Sequence, residues 1–564
     1  MKSSIRNALL MVGAFIGLVG PMHATAQSVE RPAGPNYQLF LIGDELQLCS
    51  SLAWTECFDT DWLDPETMRT ERYINLVGDP VKALLDDENW PIHRHQIRDD
   101  VKDAIAILYE RLNIDVVTEH TFHEEFTRRV TNHLYNSLSE REWHMILDHL
   151  ELPAPAGKPN LAQIRMLKVR AKEDILRAML AEADKVRGAD QRAPRIAITA
   201  AGARDPFTTV EPYLNALEKL GAEVRWLPID AAVNRAQRTK QCDDLEELRV
   251  QELHTWRRAA VFPALHEHQV EFCKAPLAGP KIVDWADAVL IVGNNQNLVR
   301  KAFLDPMSQP TDLMTSIALK MRANRLVVAA TGDAMNALTA KAMVAGGLSE
   351  EALRAGAIAG EAPAANCDRD HTCPRSMNVN SAAYHPLGGV GLFTFATLDS
   401  RFSDLGRHGR LLRVAAANKV PLAVGVDRRT ALAVNVLTGD FKVVGERGVF
   451  LAEAPQETEK AVATTFHYLV GGASGRFTAD SVTDIKFATG EGVVAEAPTT
   501  RFLNDRGMVD TMRLLCQGRD SVNLIENEFR LLVVADDNTQ RQRSGGECQV
   551  SHARVGLSWQ PERW

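Results

Sequence analysis

The sequence predicts an α/β fold, a parallel sheet with helices on both faces, carrying a helical insertion and a small β-rich C-terminal region. Three observations predict it. Apolar runs such as "RIAITAAG", "ADAVLIVG" and "RLVVAATG" recur with amphipathic helical stretches between them, the βαβ pattern of a parallel sheet. The last run stops at Gly332, a single Asp333 follows, and a helical pattern resumes, so strand, tight turn and helix form an elbow that presents one side chain at the sheet edge. After about residue 455 the pattern shortens to strands separated by turns.

Taken in order, the chain opens with Lys2 and Arg6, an apolar run "ALLMVGAFIGLVG" and the small residues Ala24 and Ala26. That is a secretory signal peptide over 1–26, cut after Ala26. The apolar run is too short for a membrane span, so an exported protein, periplasmic or secreted, is expected. Export makes disulfides the expected state of the eight cysteines, which fall as four sequence-local pairs: Cys49 with Cys57, Cys242 with Cys273, Cys367 with Cys373, and Cys516 with Cys548.

Residues 27–193 read as a strand at "YQLFLIGDE" followed by a helical region. Ile97, Val101, Ile105, Leu108 and Leu112 lie on one helical face. "LPAPAGKPN" breaks the chain at 152–160, and a second helix is expected from Leu161 to Val186. Residues 194–454 form the α/β region: strand "RIAITAAG", helix "VEPYLNALEKLG" and strand "AEVRWLPID" make one βαβ unit, interrupted by a polar insertion over 231–280. Residues 455–564 are expected to form a separate β-rich domain, with strands at "FHYLVGG", "VTDIKFATG", "FRLLVVADD" and "ARVGLSW".

Composition is ordinarily globular, with 45% apolar and 24% charged residues over 564 positions. The net charge of −9 gives no electrostatic footprint for nucleic acid, which leaves a peptide, a small acidic ligand or a protein as partner. No cofactor is implied: "GASG" and "GGVG" lack the strand–GxGxxG–helix context of a dinucleotide site. No metal site is assigned either, since His120, His123 and Glu124 could share a helical face but read as solvated surface groups. His371, His385, Ser376 and Ser381 fall in a loop closed by Cys367 and Cys373, with no elbow to present either serine.

Three segments surround the elbow. "VLIVGNNQ" places Asn294, Asn295 and Gln296 at the carboxyl end of a strand, where open α/β sheets bind ligands. "LDSRFSDLGRHGRL" brings Arg401, Arg407 and Arg410 close together, and "GVDRRTAL" is a strand, a charged turn and a strand. In the order "GNNQ", "TGDAMNA", "LDSRFSDLGRHGRL", "GVDRRTAL", with "AMVAGG" after the elbow as a helix, the chain resembles the cyanophycinase-like serine peptidases over about 195–450. The resemblance implies a class I glutamine amidotransferase-like fold. It places the nucleophile at Asp333, the general base at Arg401 and the acid at Arg428, with Asp427 retained. It also implies that Gln296, Arg407 and Arg410 position substrate, while Met335 stands where a small residue is usual near the oxyanion hole.

All three positions of the Ser-His-Glu arrangement are therefore replaced. Serine attack needs a hydroxyl activated by an imidazole that an acid orients. Arginine stays protonated and cannot act as the base, and a carboxylate attacking an amide would give a mixed anhydride with little driving force. An Asp333–Arg401–Arg428 ion cluster is expected to hold the old cleft together. The function expected is that of an exported, catalytically inactive peptidase homologue whose cleft takes a peptide, an acidic ligand or a protein. The alternatives are an active serine-type hydrolase with a displaced site, and a structural or scaffolding role in the envelope.

Overall fold

The computed structural model of the chain describes residues 34–561, apart from 131, 156, 189 and 491–500. The signal peptide expected over 1–26 lies outside the described residues.

The architecture is mixed α/β. Its main sheet has nine strands, and five of them run parallel in the order Leu39–Ile42, Val327–Thr331, Ala288–Gly293, Arg195–Gly202, Glu223–Trp226. Four antiparallel strands extend it beyond Leu39–Ile42: Thr430–Val434, Asp440–Gly445, Ser474–Phe477 and Val482–Lys486. The sheet is thus parallel only over one half.

Both faces of the parallel half are covered, which is why its strands read as unbroken apolar runs. Leu39 and Leu41 enter one core with Val289, Ile291 and Val328, while Phe40 and Ile42 enter the other with Leu290, Val292 and Val327. The second core is closed by the helices Arg170–Val186 and Pro206–Lys219. The first is closed partly by an eight-stranded sheet in which Thr397–Asp399 runs parallel to Leu422–Val426 and the strands beyond are antiparallel.

That second sheet runs across the expected boundary of the C-terminal domain. The boundary at 455 falls inside the strand Gly448–Glu457, which pairs with Leu422–Val426 along five residues. The later strands join one sheet or the other, and none builds a sheet of its own. The N-terminal strand is likewise no appendage, because Leu39–Ile42 lies between Thr430–Val434 and Val327–Thr331.

The helix His95–Leu112 forms as its stripe predicts, burying Val101, Ala104, Ile105 and Leu108 against Trp90, Phe122 and Phe126. The helix expected from Leu161 begins only at Arg170. Ala162 and Leu167 instead make single bridges to Ser50 and Cys57, with a 3-10 turn at Ile164–Met166 between them, so contacts with the Cys49–Cys57 loop take the place of the helix there. The helix expected after the elbow is also absent. Gly332–Leu338 is a short 3-10 segment, and "AMVAGG" becomes the strand Met343–Gly346 pairing with Ala382–His385.

All four expected cysteine pairs are disulfides. Among the described residues no helix is long and apolar enough to cross a membrane.

Candidate functional site

Four neighbouring parallel strands end at one sheet edge, and the residue that follows each end lines one site. In spatial order they supply Glu45, Asp333, Asn294 with Asn295, and Arg204. The close approach there rests on glycine. A Cβ on Gly293 (φ +136°) would sit 2.0 Å from the Gly202 carbonyl carbon, so the two strand ends can touch only without side chains.

The turn after Thr331 is made by Gly332, whose φ of +52° lies in the left-handed region. Asp333 follows, buried, and its backbone N–H donates to Asn294 Oδ1 at 3.2 Å. The second sheet brings the opposing charges. Asp399 ends its strand, and the turn and helix that follow carry Ser400, Arg401, Arg407 and Arg410.

These groups form a closed ion cluster. Asp333 accepts from Arg401 Nη2 at 2.5 Å, from Arg407 Nη1 at 2.6 Å and Nη2 at 3.3 Å, and from the Ser400 hydroxyl. Arg401 Nη1 donates to Glu45 at 3.0 Å. Asp399 is fully buried and accepts from Arg410 Nε and Nη2 at 2.7 Å each and from Arg407 Nη1 at 3.2 Å. Three carboxylates therefore face three guanidinium groups. Burial alone would push the Asp333 carboxyl up, but the charge and hydrogen bonds of Arg407, then the charges of Arg401 and Arg410, outweigh it and hold the group well below the usual carboxylate range. Burial pushes the Glu45 carboxyl up, against the Arg401 charge.

The residues expected at the family triad separate here. Asp333 and Arg401 meet, whereas the exposed Arg428 does not join them; its backbone N–H donates to Asp404 at 3.0 Å and its carbonyl accepts from the Thr430 hydroxyl at 3.3 Å. Its neighbour Asp427 turns inward, accepting from the Ser403 N–H at 2.8 Å and the Tyr468 hydroxyl at 2.7 Å.

Arg407 and Arg410, expected to face a ligand, direct their donors into the protein, and Arg410 Nη1 also bonds the Gly347 carbonyl at 2.6 Å. Asn295 caps the helix Gln296–Phe303, and Gln296 Nε2 bonds the Ala345 carbonyl at 2.6 Å. Met335 is fully buried. Glu45, Asp399 and Ser400 complete the site but were not singled out from sequence. The signal for Asp399 was its place two residues before Arg401 in the quoted motif.

Above the cluster lies a cleft of about 760 Å3, lined among others by Asn294, Asp333, Arg407, Arg141, Arg204 and His254. A second cleft of about 680 Å3, lined by Glu45 and Tyr213, adjoins it and shares Glu140, Arg204, Asn294, Asn295 and Leu298. Together they make a trough along the sheet edge.

Other candidates do not converge. His385 Nε2 contacts Asn297 Oδ1 at 3.1 Å, and the Ser381 hydroxyl accepts from the Asn378 N–H at 2.9 Å, so the two are not paired. The His123 ring packs edge-on against Trp143, and Glu124 pairs with Arg128. Among the described residues, the His, Cys, Asp and Glu grouping tight enough for a metal ion is Cys367, Asp368 and Cys373, whose sulfurs are joined to each other.

Fold and site thus define a mixed α/β protein with a polar trough at the carboxyl ends of parallel strands, floored by a neutralised ion cluster. No protein-family model matches the chain. Among solved structures, a peptidase from an acI-B1 Actinobacterium is similar over 55% of this chain and 92% of that chain, at 13% identity and a TM-score of 0.32.

Proposed function

We propose that this chain is an exported, catalytically silent member of the cyanophycinase-like peptidases, on a class I glutamine amidotransferase-like frame, whose trough binds a peptide or another acidic ligand without cleaving it. One observation carries the reading: the Asp333 carboxylate at the elbow is held by Arg401, Arg407 and Ser400, and among the described residues no hydrogen bond joins it to a histidine.

A nucleophile needs a free electron pair aimed at the substrate and a base to take a proton. Asp333 has both oxygens engaged by donors, and position 401 carries a group that stays protonated. The buried charges offset one another's desolvation, which keeps the trough's floor in place. Cys49–Cys57 and Cys367–Cys373, bonds suited to an oxidising compartment, support the exported setting.

The test incubates the purified chain with α- and β-aspartyl peptides, following hydrolysis by chromatography and binding by calorimetry. Binding without product is expected. Turnover that disappears in Asp333→Ala would establish an active hydrolase instead.

A further inference from the structure

If Arg407 and Arg410 are occupied internally, an anionic ligand entering the trough must be read by other cations. The opposite wall supplies them. It is built from the helix Glu140–Leu150, the loop after the helix Leu245–Leu253 and the last turn of the helix Gln296–Phe303.

Arg141 is exposed on that helix, with its guanidinium carbon 5.3 Å from the centre of the Trp256 ring. Stacking holds the long side chain in place and leaves its charge available. Among the described residues no carboxylate lies within ion-pair distance of it; of its two neighbours in sequence, Glu142 gives its oxygens to Arg94 and the Ser139 N–H, while Glu140 lines the same cleft without pairing with it. Lys301, 45% exposed, reaches Glu252 at 3.3 Å, but that carboxylate is shared with Arg235 at 2.8 Å. The exposed His254 lines the same cleft as Arg141, Lys301 and Arg204, and Arg204 Nη1 donates to its backbone carbonyl at 2.9 Å. Burial first, and then the charges of those three cations, hold the His254 ring below its usual pKa. Glu252 is the acid that faces the same ring.

We infer that Arg141, Lys301 and His254 form an anion subsite at the mouth of the trough, which takes the carboxylate side chains of an acidic peptide. The inference rests on the binding function proposed above and names its ligand class. The trough's size favours a chain over a single small ion: two clefts of about 760 and about 680 Å3 share a wall, enough for several extended residues. Both clefts carry carboxylates, Glu361 and Asp370 among those of the near one, but in the far cleft Glu45, Glu56 and Asp205 stand with Arg72 and Arg204 while the near one holds Arg141 and Lys301 as well, so the acidic end of such a peptide belongs at the Arg141 end.

The experiment titrates the full chain by calorimetry with an acetylated, amidated penta-aspartate peptide, its penta-asparagine analogue and inorganic phosphate. Penta-aspartate is expected to bind and penta-asparagine is not, with affinity falling as salt rises. Arg141→Ala and Lys301→Ala are each expected to weaken binding about fivefold and the pair about 25-fold, with thermal melts unchanged because both side chains are exposed. Penta-aspartate binding that the double variant leaves intact would overturn the subsite while leaving the silent cleft standing. Binding of neither peptide to the wild type would overturn the peptide-binding function and the subsite with it. Phosphate binding in place of the peptide would reassign the subsite to a small oxyanion and overturn the peptide proposal.

Discussion

Arg410 meets Asp399 side-on, Nε to Oδ2 and Nη2 to Oδ1, each at 2.7 Å, with Asp399 fully buried and Arg410 6% exposed. Such a bidentate pair is stable only as a pair, since either charge left alone in that setting is uncompensated. Asp399→Asn is therefore expected to lower stability by about 3–5 kcal/mol in urea denaturation. Replacing both partners, Asp399→Leu with Arg410→Met, is expected to cost less than the sum of the two single changes by more than about 1 kcal/mol. Strict additivity would mean that the two side chains do not act on each other.

Arg401 and Arg428 make a sharper contrast, because the sequence resemblance implies triad positions for both. Arg401 links Asp333 to Glu45, so Arg401→Ala frees two carboxylates from one donor and is expected to cost about 1–3 kcal/mol. Among the described residues the exposed Arg428 has no side-chain hydrogen-bond partner, and Arg428→Ala is expected to stay within about 0.5 kcal/mol of wild type. Equal losses at the two positions would place Arg428 in the cluster after all.

Much of this frame was legible in the sequence, for reasons that particular residues make plain. Leu39–Ile42 and Val327–Thr331 are apolar throughout because both sheet faces are covered, and burial of that kind leaves a run that is easy to find. "AMVAGG" was not legible, because a short apolar run suits helix and strand alike. Its partner Ala382–His385, far along the chain, decides the matter. At the site, Asp333 and Arg401 followed from motif positions. Arg428 misled because the inward residue of its turn is Asp427, which leaves the next side chain outside. Glu45 lies in the loop after the strand Leu39–Ile42, 356 residues before Arg401, and no local pattern reports such a contact.

The disulfides offer a comparison of loop lengths. Cys242–Cys273 spans 31 residues and Cys367–Cys373 only 6. The chain-entropy model gives about 3.7 kcal/mol for the longer loop and about 2.2 kcal/mol for the shorter. Paired Cys→Ser variants are expected to rank in that order by denaturant midpoint. The opposite order would show that Cys367–Cys373 does more than restrict the unfolded chain, as its loop also carries Asp370 and Thr372 in the cleft wall.

Stability should also fall in mild acid, through His408. Its ring lies in the core, 4.3 Å from the Phe402 ring and 5.1 Å from that of Phe450, and neither nitrogen has a hydrogen-bond partner among the described residues. Burial pulls its pKa down to about 3. An unfolded chain takes up that proton near pH 6.5, so between about 3 and 6.5 the unfolded state binds a proton that the folded state refuses. Stability is then full above 6.5 and declines as pH falls, by up to about 1.4 kcal/mol per unit from this one ring. His149, pulled to about 4 by burial and the Arg257 charge, acts in the same direction. Asp333 does not confuse the window, since a carboxyl held below its usual range loses its contribution only under more acid conditions. His408→Leu removes no hydrogen bond and nearly preserves volume, so it is expected to match or exceed wild type at pH 7.5. Between pH 6 and 4.5 its stability should decline with a slope shallower by about one proton. Urea midpoints across that range measure both slopes, and identical slopes for the two proteins would show that the buried ring does not set the acid sensitivity.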